Sequence, residues 1–496
     1  MTQDSPEGPT PGPRVHLDDA GLVLPIGADF GEHRDVDKQE DDDAQGIARP
    51  VTARDLTRLA QVQAELEARW PETTIDPSRE RIEALMDLLG QPQRAYPTIH
   101  VAGTNGKTST VRMIESLLRA FHRRTGRTTS PHLQTITERI AIDGAPIHPE
   151  DFADVYADIA PYIAMVDERF GPMSTFEVIT AMAYAAFADA PVEVAVIEVG
   201  MGGTWDATNV IDPQVSVVTP IGLDHTGMLG ETLTEIAGEK AGVIKPGAVA
   251  IIGQQEPEAM EVLLRAAVAA DTAVARAGAE FSVTSQVAVG GQQLTIQGLG
   301  GVYEDIFLPL SGPHQAANAA VALAAVEAFF GAGASRQLDQ DTVRAGFAAV
   351  TSPGRLERVR SAPAIFLDAA HNPHGARALA QALDHDFNFQ RLIAVVATLG
   401  DKDTDGILRA LEPCVHEVVC TRNSSPRALA VEDLERRAQD IFGDERVHVA
   451  ADLPGAIELA VELAEEADVQ SGAGVVITGS VVTAGDARTV LGKEPQ

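Results

Sequence analysis

The stretch TIHVAGTNGKTSTVRMIESLLRAF, residues 98–121, decides how the rest of the chain is read. An apolar run ends at Ala102, a turn carries Gly103 and Gly106, and apolar residues then recur at Val111, Ile114, Leu117 and Leu118. That order predicts a strand, a tight turn and an amphipathic helix. Glycines at the turn let the backbone approach an anion, and the helix directs the positive end of its dipole to the same place. Lys107 supplies a cation for outer phosphates, while Thr108, with Ser109 as its near alternative, offers a hydroxyl to magnesium. The ordinary phosphate-loop pattern requires a glycine five positions before Gly106, where Val101 stands, so a strict pattern search fails. The plainer alternative is a strand-to-helix turn whose lysine points into water; the coincidence of all these features favours phosphate. ATP and GTP both remain open on these residues. Asp224–Gly227 (DHTG) matches a weak GTPase signature, but no Asn-Lys-x-Asp motif accompanies it, and so short a match is discounted.

At 496 residues the chain is too long for one ordinary core, and two or more domains are expected. Its 72 acidic against 38 basic side chains give a net charge of −34, which opposes general attraction to nucleic acid or to an anionic membrane. A polyanionic ligand therefore has to meet locally arranged cations or a metal. The two cysteines, Cys414 and Cys420, lie in apolar strand-like surroundings and read as reduced core thiols. The opening MTQDSPEGPTPGP lacks a basic start followed by an apolar run, so a cytoplasmic protein is expected. The alanine-rich tract at 316–334 is interrupted by Asn318 and Glu327 and reads as a buried helix rather than a membrane span.

Residues 1–50 combine proline, glycine and an acidic run and are read as a mobile tail. In SRERIEALMDLLGQP a helix is expected to bury Ile82, Leu85, Leu88 and Leu89. Apolar runs at YPTIHVAG, VEVAVIEVG, VSVVTP and AVAIIG alternate with helical stretches, which predicts a mainly parallel α/β sheet covered on both faces. A second series follows Pro353 and Gly354, with AIFLDAAHNP, RLIAVVATLG, HEVVCTRNSS and GVVITGS as strands. The expected organisation is a tail at 1–50, an ATP-binding domain at 51–351 and a smaller Rossmann-like α/β domain at 352–496. Alternation near 280–310 suggests a small added hairpin.

Glu198 closes an apolar run and should emerge at the carboxyl end of a strand, where open α/β sheets bind ligands. His225 follows the next run and could reach the same rim. Magnesium prefers oxygen, so Glu198 is the more natural ligand, and His225 is either a hydrogen-bonded rim residue or a metal neighbour. His371 and His374 have zinc-like spacing without a nearby partner, and zinc is set aside.

Eight motifs occur in order: HVAGTNGKTS, SPHL at 130, STFEVITAMAY at 174, EVGMGGTWDATNV at 198, LDHTGMLGETLTEIAGEKAGVIK at 223, GPHQAANAAVA at 312, GRLE at 354 and LDAAHNPHGA at 367. Together they resemble the folylpolyglutamate synthase and dihydrofolate synthase family, relatives of the Mur peptide ligases, over about residues 54–490. The resemblance implies a Mur-ligase-like fold and ATP-driven amide formation between a pteroate or folate carboxylate and L-glutamate, through an acyl phosphate. It implies ATP and Mg2+ as cofactors and small-molecule partners, dihydropteroate or a reduced folate with L-glutamate, for a monomer that binds neither nucleic acid nor membrane.

Residue by residue, the resemblance places Gly103, Thr104, Asn105, Gly106, Lys107, Thr108 and Ser109 at the phosphates. Asn318, Arg355, Asp368 and His371 match nucleotide contacts from beyond the turn. Thr108, Ser130, Glu198 and His225 match magnesium ligands, and Lys240 matches a lysine that the family carbamylates, so that Lys107, Glu198, His225 and Lys240 form the expected catalytic set. On the pterin side, Thr74, Ile75 and Asp76 match one segment, Ser130, Pro131 and His132 a loop, and Phe176, Asp206 and Ala207 the wall and floor of a pocket. Two positions depart from the family: Thr108 replaces the usual small residue, as in Mur ligases, and Trp205 adds bulk beside the pterin pocket. A different Mur-type ligase and a nucleotide-driven switch are the competing readings.

Overall fold

The computed structural model describes residues 49–70, 76–333, 336–466 and 472–496, together with the backbone pairing of Leu17–Asp18 with Gly21–Leu22. Thr74 and Ile75, and residues 1–48 of the tail expected at 1–50, lie outside the described residues apart from that pairing.

The larger of two α/β units is built on an eight-stranded sheet. In chain order its strands are β1 (Thr98–Ala102), β2 (Thr125–Thr128), β3 (Ile140–Ile142), β4 (Ala145–Pro146), β5 (Val194–Glu198), β6 (Val215–Val218), β7 (Val249–Ile252) and β8 (Ala273–Arg276). Across the sheet they run β8-β7-β6-β1-β5-β2-β3-β4, with parallel pairing except at one edge, where β3 pairs antiparallel with both β2 and β4. All five residues of β1 are buried, because β5 and β6 flank it and helices cover both faces. This is why the segment reads as an unbroken apolar run rather than as an alternating one.

The two faces form separate cores. Ile99, Val101, Val194 and Val196 pack on one side with the helices Lys107–Ala120 and Pro313–Phe329, while Ala195 and Ile197 face the helix Thr175–Asp189 on the other. The helix Pro313–Phe329 is buried almost all round, as its alanine-rich sequence predicts, and runs in contact with Lys107–Ala120. Its Glu327 is wholly buried and accepts from the Leu299 and Gly300 amides and the Tyr303 hydroxyl, which anchors a small antiparallel sheet. That sheet contains the expected hairpin, β9 (Ser282–Ala288) and β10 (Gly291–Gln297), and a third strand, β11 (Val302–Leu308).

In the helix Glu80–Leu88 the buried stripe is Ile82, Leu85 and Met86, while Leu88 is 41% exposed. The expectation for Leu88 was wrong: positions 82, 85, 86 and 89 share one face at about 100° per residue, and 88 turns away from it.

The second unit is a six-stranded sheet of β12 (Glu357–Ser361), β13 (Ala364–Leu367), β14 (Arg391–Val396), β15 (Glu417–Cys420), β16 (Val447–Val449) and β17 (Ala473–Thr478), ordered β12-β13-β17-β14-β15-β16 and parallel apart from β12. Both cysteines are free, with Cys420 buried at the end of β15. The final helix, Val481–Val490, docks on the loop after β2: Arg488 donates to Gln134 (2.8 Å), and Gln134 donates to the carbonyl of Lys493 (2.8 Å). No helix among the described residues is long and apolar enough to cross a membrane.

Candidate active site

The carboxyl ends of β1, β5 and β6 open toward the second unit, and the predicted phosphate turn lies at the centre of that edge. Gly103 has φ +140°, and a Cβ there would stand 1.9 Å from Thr219 Oγ1. Gly106 has φ +87°, and a Cβ there would meet Asn318 Oδ1 at 2.6 Å. Both positions thus need glycine for backbone conformation and for space. The amides of Thr104 (3.0 Å) and Asn105 (3.3 Å) donate to the Pro220 carbonyl, and Thr104 Oγ1 bridges to Gly222. These bonds rigidify the turn and leave the helix that starts at Lys107, which has no side-chain N-cap, to present amides to an anion.

Gly103, Thr104, Asn105, Gly106, Lys107, Thr108, Ser130, Pro131, Glu198, His225, Lys240, Arg355 and His371 line one cavity with Asp224. Thr108 Oγ1 donates to Glu198 Oε1 at 2.9 Å, whereas Ser109 is turned away against Ser352 (3.1 Å) and Gln315 (3.3 Å). Thr108 is therefore the hydroxyl that faces the cavity. Glu198 is 3% exposed, and its Oε2 has no hydrogen-bond partner. Burial raises the Glu198 carboxyl, while the Lys107 charge and the Thr108 hydroxyl oppose the rise.

Lys107 and Lys240 share an acceptor. Lys107 Nζ donates to the carbonyls of Gly103 (3.2 Å) and Thr104 (3.3 Å), and Lys240 Nζ donates to Gly103 at 2.8 Å. Burial lowers the Lys107 ammonium, against the attraction of Glu198 and Asp224. Burial and then the Lys107 charge lower Lys240 to about 7, so near neutral pH much of it is a free amine.

His225 adopts φ +50° at the start of the short helix Thr226–Leu229, and burial lowers its imidazole to about 4. Asp224, which sequence reasoning discounted, is central. Its carboxylate accepts from the His225 amide (2.9 Å), Lys402 Nζ (3.0 Å) and Asn372 Nδ2 (3.0 Å), and His371 Nε2 stands at 3.5 Å. Burial pushes the Asp224 carboxyl up, but the His371 hydrogen bond and the charges of His225, His371 and Lys402 outweigh it and hold the group well below the usual carboxylate range. Asn372 also exchanges bonds with Asn105 (3.2 and 3.4 Å) and caps the helix Pro373–Asp386. Sequence reasoning missed Asp224, Asn372 and Lys402; the available signal was that DHTG follows β6 on the same rim as Glu198.

The other expected residues sit around this centre. Asn318 packs on Gly106 and donates to Gln315 (3.2 Å). Asp368, whose carboxyl is raised by burial, accepts from the amides of Leu356 (2.8 Å) and Ala370 (2.9 Å) and so braces the segment carrying Arg355. Phe176 lies 2.4 Å from where a Cβ of Gly200 would stand. Asp206, raised by burial, accepts from the Met201 (2.8 Å) and Thr208 (2.9 Å) amides and shapes the loop after β5, with Ala207 buried beside it. His132 Nδ1 accepts from Arg139 (3.0 Å), and burial lowers its imidazole to about 3. Asp76 pairs with Arg81 (2.7 Å), which in turn holds Glu177 (3.1 Å) beside Phe176. Trp205 packs with Met201 and Leu229. His132, Phe176, Asp206, Ala207 and Asp76 do not line the phosphate cavity itself. Among the described residues no three His, Cys, Asp or Glu side chains group as a metal site.

Residues 101–326 match the model of the Mur ligase middle domain, and residues 354–481 that of the Mur ligase glutamate ligase domain. A dihydrofolate synthase/folylpolyglutamate synthase of Mycobacterium tuberculosis is 60% identical over 468 residues, 90% of this chain and 96% of that protein. A Bacillus subtilis protein of the same name is 35% identical, over 73% of this chain and 84% of its own length. Among solved structures, M. tuberculosis folylpolyglutamate synthase complexed with ADP superposes with a TM-score of 0.86 at 59% identity, covering 89% of this chain and 100% of that one. E. coli FolC in complex with DHPP and ADP gives 0.77 at 30% identity, covering 90% and 99%.

Proposed function

The chain belongs to the dihydrofolate synthase/folylpolyglutamate synthase family of Mur ligases, and on that premise we propose that it uses ATP to join L-glutamate to dihydropteroate and to reduced folates. One observation supports this above the others: a glycine turn with a half-buried lysine, a buried glutamate and a second, buried lysine converges on one cavity between the two units. A carboxylate oxygen of the folate acid attacks the terminal phosphorus of ATP, and ADP departs. The glutamate amine then attacks the acyl carbon and inorganic phosphate leaves.

Gly103 to Thr108 are assigned to hold the nucleotide phosphates, with the helix dipole and Lys107 opposing the charge that builds on the transferred group. Arg355, Asp368, His371 and Asn318 are assigned to the remainder of the nucleotide. Magnesium fits the residues present, because Glu198 offers a buried oxygen without a partner beside the Thr108 hydroxyl. Thr108, Ser130, Glu198, His225 and carbamylated Lys240 would hold it. When bound it would neutralise phosphate charge. The Lys240 environment suits carbamylation: a neutral amine adds to carbon dioxide with loss of a proton, and lowering the ammonium to about 7 supplies that amine. The product replaces a cation that repels Lys107 by an anion that attracts it.

His132, Phe176, Asp206, Ala207 and the segment Thr74–Asp76 are assigned to the pterin side, in a protein organised as an ATPase domain at 51–351 and a glutamate ligase domain at 352–496. A cytoplasmic monomer is the accompanying proposal. The test is purified protein with ATP, magnesium and labelled glutamate, offered dihydropteroate and tetrahydrofolate in parallel. Products heavier by one glutamyl residue with both acids are expected, and ADP release should require both the acid and glutamate. ADP release indifferent to both would overturn the assignment.

A further inference from the structure

We propose that Asp224 is a positioning residue that sets the docking of the glutamate ligase unit and the orientation of His225 together. It rests on the ligase reading above.

Four groups converge on this one carboxylate, which is only 10% exposed. One is local: the His225 amide donates to Oδ1 at 2.9 Å, and His225 occupies the left-handed backbone region at φ +50°, where a residue other than glycine is held only by its surroundings. The other three come from across the cleft. Lys402, itself 10% exposed, donates to Oδ1 at 3.0 Å, Asn372 donates to Oδ2 at 3.0 Å, and His371 lies 3.5 Å from Oδ2. Asn372 passes the connection on, since its amide exchanges hydrogen bonds with Asn105 in the phosphate turn.

Three loops that must agree during catalysis are thus tied through one side chain: the phosphate turn after β1, the His225 loop after β6, and the 371–372 turn after β13. A shift of the second unit relative to the first pulls on Asp224, and the His225 amide shares its oxygen. Small displacements of this kind are costly where reacting atoms must align. Asp224 need touch neither substrate nor nucleotide for this role.

The experiment compares Asp224→Asn, Asn372→Asp and the double variant in the glutamate-ligation assay, with X-ray scattering in the presence of a non-hydrolysable ATP analogue. Asp224→Asn faces one amide with another, and Asn372→Asp faces one carboxylate with another. The double variant restores an amide-to-carboxylate pair in the opposite sense. Expected are a fall in kcat of at least tenfold in each single variant, with KM for the pterin acid within twofold of wild type, and recovery of at least fivefold in the double. Scattering should show both single variants more open than wild type with the analogue bound, and the double closed again. Singles with unchanged kcat, or a double variant whose loss is the product of the two single losses, would overturn the proposal, because independent structural damage multiplies and a restored contact does not. Should a single variant fail to fold, a double variant that folds and closes still supports the pairing, and one that does not fold refutes it. Wild-type protein inactive in the same assay would instead overturn the ligase reading.

Discussion

Replacing Lys240 by methionine should stabilise the protein while abolishing ligation. The lysine is 4% exposed, and its ammonium has one hydrogen bond, to the Gly103 carbonyl at 2.8 Å, with the Lys107 charge nearby. Burial, and after it the Lys107 charge, lower its ammonium from 10.5 to about 7, which sets the order of magnitude of the cost of keeping the charged form here. At about 1.4 kcal/mol per pH unit that cost is on the order of 5 kcal/mol below pH 7. Methionine keeps the length and apolar stem but removes the charge; loss of the hydrogen bond returns about 1 kcal/mol. A net gain of about 4 kcal/mol is expected at pH 6, a rise in Tm of roughly 6 °C for a domain of about 300 residues. The sign with pH follows from linkage. Between about 7 and 10.5 the unfolded lysine carries a proton that the folded one lacks, so wild-type stability rises with pH relative to the variant. The advantage of Lys240→Met should therefore be largest below pH 7 and shrink toward pH 10. Calorimetry in metal-free and bicarbonate-free buffer measures both. A variant no more stable than wild type at pH 6, or an advantage constant from pH 6 to 10, would refute the reasoning.

Further outcomes are expected at neighbouring positions. Gly106→Ala places a Cβ 2.6 Å from Asn318 Oδ1 at φ +87°, and should cost about 1–3 kcal/mol and weaken ADP binding at least tenfold, measured by thermal melts with and without ADP. Glu198→Gln removes the unpartnered carboxylate oxygen and should leave the fold intact while reducing kcat by about a thousandfold and abolishing the magnesium dependence of nucleotide binding seen by titration calorimetry. Lys107→Ala should reduce ligation comparably with no loss of secondary structure by circular dichroism. Wild-type activity should fall in carbon-dioxide-free buffer below pH 7, where Lys240 becomes protonated, and recover on adding bicarbonate.

What was legible in the sequence follows from what each element buries. The strands β1, β5, β6 and β7 are covered on both faces, so their apolar runs stand out, and the helix Lys107–Ala120 buries Val111, Ile114, Leu117 and Leu118 on one face, which gives its period away. β2 was harder to read, because TGRT carries a charge in its middle. Arg127 is fully buried there, and its partner Glu115 (2.6 Å) comes from the helix Lys107–Ala120, so only the tertiary pairing makes the strand tolerable. The site divides in the same way. The phosphate turn announces itself because its glycines, lysine and threonine are adjacent in sequence. Asp224, Asn372 and Lys402 do not, since Asn372 and Lys402 lie 148 and 178 positions beyond Asp224 and no periodicity links them. DHTG was set aside as a nucleotide motif, and its aspartate gains meaning only from the side chains that the second unit brings to it.

The same geometry explains how a chain of net charge −34 can take anionic ligands. Surface repulsion is screened over about 8 Å at physiological salt, so binding is governed by what lies at the site. There, Lys107 and Lys240 donate to one carbonyl, and Lys107 loses charge preference to burial while Glu198 and Asp224 draw it back. Two lysines that share the Gly103 carbonyl, with only the Thr104 carbonyl besides for Lys107, are an arrangement that phosphate oxygens would relieve. The glutamate is likewise incomplete: one oxygen accepts from Thr108, while the other is left without a well-formed hydrogen bond beside the Ser130 backbone. Phosphate oxygens would give these lysines acceptors at the site itself, so nucleotide binding does not need a cationic surface. Stability gained by removing Lys240 and activity lost by removing it are two consequences of this one arrangement.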